Sequence, residues 1–75
     1  MNKTEFRLKV FSLSEHLFPM VCRMLGNNAN AEDAIQEIMM KLWLKRKEIG
    51  KHPNITGLVF LTARNYCIDL MRKKR

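Results

Sequence analysis

From residue 4 to residue 25, apolar side chains return every three or four positions: Phe6, Val10, Leu13, Leu17, Val21 and Met24. That spacing predicts an amphipathic helix. Pro19 interrupts it, because a proline inside a helix costs about 3 kcal/mol, although it suits a first turn. A break is therefore expected near Phe18, with a second short helix from Pro19 to Leu25 and a stop at Gly26. In the next block, Ala31, Ala34, Ile35, Ile38 and Leu42 form a core stripe, flanked by Met39 and Trp43. Asn30 reads as its N-cap and Asp33, three residues on, as a weak capping box, so a helix is expected over residues 30–48. Residues 50–56, GKHPNIT, carry Gly, Pro and Asn and read as a loop. Thr56 is the expected cap of a third helix over 57–75, whose apolar stripe is Val59, Phe60, Ala63, Cys67, Leu70 and Met71. No stretch alternates with period two, so the prediction is all-α, a compact three- to four-helix bundle.

The middle helix has a second pattern. Asp33, Gln36, Glu37, Met40 and Leu44 also fall three and four apart, so they share one face. That face starts acidic and ends apolar. Solvated decoration of a helix start accounts for the carboxylates, which suit the positive end of the helix dipole. It does not account for Met40 and Leu44 continuing toward solvent, a usual mark of a protein contact.

Charge sharpens the picture. Residues 1–50 hold eight Lys/Arg and six Asp/Glu, a net of +2, whereas residues 51–75 hold six Lys/Arg and only Asp69, a net of +5. The excess ends in the run Arg72, Lys73, Lys74, Arg75, which is more than a helix C-terminus needs and suits a polyanion. Seventy-five residues allow one domain with one small core, and a hydrophobic share of 47% argues against disorder. The longest unbroken apolar run, Leu58 to Leu61, is far too short to span a bilayer, and charges near the N-terminus exclude a signal peptide. A cytoplasmic protein is expected. Cys22 and Cys67 each lie in apolar context and read as buried free thiols. With His16 and His52 they make no metal-ligand spacing, and no cofactor motif is present. No nucleophile–base set, glycine-rich phosphate loop or paired apolar carboxylates occurs, so no enzyme activity is expected.

On the third helix, Thr62, Asn65, Asp69, Arg72 and Lys73 form a polar stripe. An Asn amide can bond a base edge with both its donor and its acceptor, and the cations can hold phosphates. Asp69 is spaced to orient Arg72 and Lys73. The preceding loop adds Lys51, His52 and Asn54, groups that could hold a splayed nucleotide or simply form a loop.

"NNANAEDAIQEIMMKLW" followed by "FLTARNYCIDLMRKKR" resembles the second conserved region of bacterial sigma factors, closest to the extracytoplasmic-function branch of the sigma-70 family. The resemblance covers nearly the whole chain and implies a helical bundle that docks on the clamp helices of the largest subunit of core RNA polymerase. It places Asp33, Gln36, Glu37, Met40 and Leu44 in that contact. It makes the helix over 57–75 the reader of the minus-ten promoter element, with Asn65, Arg72, Lys73, Lys74 and Arg75 toward DNA. The loop, with Lys51, His52 and Asn54, would capture a base flipped from the non-template strand. Trp43 and Phe60 match packing positions. An anti-sigma factor is a further partner of the kind the resemblance suggests. Two positions depart from the pattern: the family often has Trp where Leu58 stands and a basic residue where Leu61 stands. The family's helix-turn-helix domain for the minus-thirty-five element has no counterpart in these residues, so a fragment of a longer factor is expected.

Two rivals use the same features differently. One is a protein-interaction bundle, an adaptor or inhibitor, with the basic end serving solubility. The other is a binder of anionic membranes through the last helix, which would need the apolar face that the core also needs.

Overall fold

The computed structural model describes residues 1–73, and Lys74 and Arg75 of the basic run lie outside the described residues. The chain forms α1 (Lys3–Lys9), a 3-10 turn (Phe11–Leu13), α2 (Ser14–Leu25), α3 (Asn28–Leu44), α4 (Arg46–Ile49) and α5 (Ile55–Lys73). No strand occurs among the described residues, and the fold is the all-α bundle expected.

Helices α2, α3 and α5 pack against one another pairwise. Leu17 and Val21 of α2, Ala31, Ala34, Ile38, Met39 and Leu42 of α3, and Val59, Ala63 and Cys67 of α5 are buried between them. The alanines keep the contact faces flat, which lets the helix axes approach closely. Helix α1 closes one end. Its Phe6 is buried and meets Trp43 of α3 edge to face, with ring centroids 5.1 Å apart. The Arg46 guanidinium stacks over the same indole at 4.0 Å and donates to the Trp43 carbonyl at 3.0 Å. Trp43 is thus the joint between α1, α3 and α4.

Several boundaries differ from those expected. The break in the first block falls at Phe11–Leu13, not near Phe18, and Pro19 lies inside α2. Pro19 is exposed, so the Glu15 carbonyl that loses its helical donor faces water, while fully buried Leu17 and Val21 hold the helix on both sides. The turn swings α1 so that Phe6 reaches Trp43, and that burial outweighs helical continuity. The cap of α3 is Asn27, not Asn30: Asn27 Oδ1 accepts from Asn30 N–H at 2.7 Å. Gly26 precedes it at φ 88, a left-handed conformation that a side chain would strain, and its N–H returns to the Cys22 carbonyl. The middle helix does not run unbroken to Glu48. It ends at Leu44, and Lys45, at φ −103 and ψ 16, separates it from α4. The cap of α5 is Asn54 rather than Thr56, because Asn54 Oδ1 accepts from Gly57 N–H at 3.0 Å. Of the expected core, Ile35, Phe60 and Leu70 are half-buried, and Met71 is exposed because it lies on the flank of α5. Cys67 is fully buried, whereas Cys22 is half-buried and its thiol donates to Asn28 Oδ1 at 2.9 Å; both are free.

Candidate nucleic-acid interface and docking stripe

The stripe on α3 is carried entirely on the outside of the bundle. At about 100° per residue, Asp33, Gln36, Glu37, Met40 and Leu44 lie nearly opposite the line Ala31–Ala34–Ile38–Leu42 that faces the core. All five are exposed, Met40 at 58% and Leu44 at 75%. The stripe is about 16 Å long, from the rise of the helix. Core packing therefore makes no use of Met40 or Leu44, which leaves an apolar foot beneath three hydrogen-bonding groups. Beside it, Tyr66 of α5 is half-buried against α3, and Lys41 Nζ lies 5.7 Å from its ring centre. Burial first, then the nearby Glu37 carboxylate and Cys67, push the Tyr66 hydroxyl above its ordinary value.

The outer line of α5 runs through Leu61, Asn65 and Arg72, which fall within about 40° of one another and face away from Val59, Ala63 and Cys67. Leu61 is 52% exposed one turn before Asn65, so this line is apolar, then amide, then cationic. Asn65, Arg72 and Lys73 are exposed, with polar groups turned to solvent. The expected pairing of Asp69 with Arg72 or Lys73 does not occur; among the described residues the ion pair that closes is Lys9 with Glu5, at 3.9 Å on α1. Lys74 and Arg75 belong to the same expected cation set but lie outside the described residues. Arg64, absent from the expected set, is exposed on the same helix and shares a shallow groove with Met24, Ile68, Met71 and Arg72. Its signal lay in the A-R-N run, where it directly precedes Asn65.

The loop between α4 and α5 is organised by its own hydrogen bonds. Asn54 N–H donates to His52 Nδ1 at 3.0 Å, which leaves the proton of a neutral imidazole on Nε2, and Asn54 Oδ1 caps α5. The Asn54 side-chain N–H groups make no bond within the loop, and Oδ1 is held by the cap. Lys51, His52 and Asn54 are all exposed. A groove of about 530 Å³ opens beside His52, lined also by Lys41, Leu44, Lys45, Leu58 and Thr62. Sequence reasoning missed Lys41, near the end of α3, and Lys45, the residue just after it, which line this groove together with His52. The groove joins the loop to Leu44, so stripe and loop border one another. No group of His, Cys, Asp and Glu is arranged to hold a metal ion among the described residues. No helix among the described residues is long and apolar enough to cross a membrane.

Fold and surface together define a helical module with a cationic outer helix and a separate acidic-to-apolar stripe. The family model for sigma-70 region 2 matches residues 12–75, and the chain belongs to that family. Domains of this family serve promoter recognition in sigma factors, binding core RNA polymerase and minus-ten promoter DNA, and the family is not one of enzymes. Comparison with curated proteins and with solved structures gives no match.

Proposed function

We propose that the chain is the promoter-recognition domain of a sigma factor of the extracytoplasmic-function type. It docks on the clamp helices of core polymerase through Asp33, Gln36, Glu37, Met40 and Leu44, and reads the minus-ten element through α5. Asn65 discriminates bases, while Arg72 and Lys73, continued by Lys74 and Arg75, hold phosphates. The loop of Lys51, His52 and Asn54 takes a base displaced from the non-template strand, with His52 lining the groove beside it. The observation that carries this reading is the separation of duties: an exposed acidic-to-apolar stripe on α3 and an exposed amide-and-cation line on α5, neither used by the core. A basic coiled coil complements the first, and a melted polyanion complements the second.

The test is titration of the chain, assembled with core polymerase, against a single-stranded non-template oligonucleotide carrying its minus-ten element and against a scrambled one. The reading predicts tighter binding of the promoter strand, lost on substitution of Asn65 and the loop residues. Equal affinity for the two strands would favour the adaptor or inhibitor alternative.

A further inference from the structure

A second apolar surface lies on the α1 side of the bundle, away from the line on α5. Lys3, Arg7 and Phe11 line a groove of about 290 Å³ whose floor is Phe6 and Trp43. The spacing of these three residues, four and four, makes the first wall a single edge of α1 continued into the 3-10 turn. Phe11 is 53% exposed, and Leu8, three residues before it, is 69% exposed. Phe11 thus offers an exposed aromatic wall to the groove, and Leu8 adds exposed apolar surface elsewhere on the same segment. Nothing in the core uses them: Phe6 and Val10 already fill the inward face of this segment.

The rim has one sign of charge. Lys3 and Arg7 are the charged residues that line it, and both are cations. The single acid of α1, Glu5, is paired with Lys9. The family match begins at residue 12, so Lys3, Arg7, Leu8 and Phe11 lie outside the part of the chain that the family describes.

We propose that this groove is a docking site for an acidic amphipathic helix of a protein partner. An aromatic or leucine anchor of that helix enters between Phe11 and Trp43, and its flanking carboxylates meet Lys3 and Arg7. Charge complementarity with Lys3 and Arg7 selects the acid, and the exposed Phe11 ring beside the Phe6–Trp43 floor selects an apolar anchor. The volume suits one large anchoring side chain, the usual centre of such a contact. The site is independent of the polymerase and promoter surfaces, so it stands or falls apart from them.

Trp43 is the one tryptophan of the chain and forms the groove floor, so its emission reports occupancy directly. The experiment titrates the chain with a synthetic helical peptide bearing Leu and Phe on one face and Glu on both flanks. Control arms are the same peptide with Lys flanks, a scrambled peptide and a single-stranded oligonucleotide. Saturable emission change with the acidic peptide alone is the expected result, weakened about tenfold by Phe11→Ala and again by Arg7→Glu. Both substituted side chains are exposed, and circular dichroism checks that the variants stay folded. Retained binding to core polymerase by both variants separates this site from the stripe on α3. Equal response to the Lys-flanked peptide, no saturable response, or preference for the oligonucleotide overturns the proposal.

Discussion

Gly57 is the residue whose replacement best separates stability from function. It occupies the third position of α5, and its N–H is the donor that Asn54 Oδ1 accepts. A Cβ built at Gly57 falls 2.5 Å from Asn54 Nδ2 and 3.0 Å from its Cγ, closer than real contacts allow. Gly57→Ala must therefore push the Asn54 side chain out of its capping position. Losing the cap costs about 1 kcal/mol. Replacing Gly by Ala in a helix returns up to about 1 kcal/mol. The two terms nearly cancel, so the melting temperature should move by no more than a few degrees, since about 1 kcal/mol corresponds to roughly 4–8 °C in a domain of this size. Asn54→Ala loses the cap with no return and should lower the melting temperature by roughly 4–8 °C. Both variants lose the Asn54 Oδ1 bond that ties the loop to the start of α5, while the main-chain N–H of residue 54 can still donate to His52 Nδ1. On the proposed function, both should then impair promoter opening by reconstituted holoenzyme, although only one is destabilised. Thermal melts and an opening assay on the same samples decide it. If Gly57→Ala melts as low as Asn54→Ala, or opens promoters as well as the parent chain, the cap does not set the loop as described.

Asn65→Ala should flatten base preference at one or two promoter positions, by about 1–3 kcal/mol per lost bidentate contact, whereas Arg72→Ala should weaken all sequences alike and reduce the salt dependence by about one unit. Opening rates across single-base variants and salt concentrations check both, and a uniform loss in Asn65→Ala would refute its role. Ile38→Ala removes a fully buried side chain at the centre of the core and should cost about 2–5 kcal/mol in chemical denaturation. Burial holds the Cys67 thiol above its ordinary range, and it raises the Tyr66 hydroxyl as well. The folded state then keeps protons that the unfolded chain has released, so stability is fully present below about pH 8.5 and falls as pH rises through and beyond that value. Melts that stay flat into the alkaline range would contradict it. Alkylation at neutral pH should label half-buried Cys22 well before Cys67, and equal rates would show that Cys67 is not enclosed.

The helices and their inward faces were legible because the signal is periodic. Phe6, Val10, Leu17, Val21, Ile38, Leu42, Val59 and Ala63 were all read from spacing alone and are buried. So was the outward stripe Asp33 to Leu44, which stands clear of the core. Boundaries were less legible, because adjacent candidates have similar chemistry. Asn27 and Asn30 are both good caps, and the choice rests on which backbone leaves the helix; Asn27, at φ −156, is extended. Pro19 misled because its local cost is large, while the compensation comes from Leu17 and Val21 packing on other helices. The turn at Phe11–Leu13 carries no Gly or Pro, and its cause, Phe6 reaching Trp43, spans much of the chain. Lys41 and Lys45 carry no signal of their own in the sequence, because only the folded chain brings them to one groove with His52.

The central claim is that the exposed stripe on α3 is the polymerase contact. Its most direct test is calorimetric titration of the chain with the isolated clamp-helix coiled coil of the largest core subunit, comparing the parent with an Asp33→Lys, Glu37→Lys double variant. Each reversal removes an exposed attraction and adds a repulsion of similar size, so the pair should weaken binding about tenfold or more. Both carboxylates are exposed and outside the core, so helical content should be unchanged. Affinity that falls in this way, while Asn65→Ala binds the coiled coil like the parent, is the result the account predicts. A folded double variant that binds the coiled coil as tightly as the parent would contradict it.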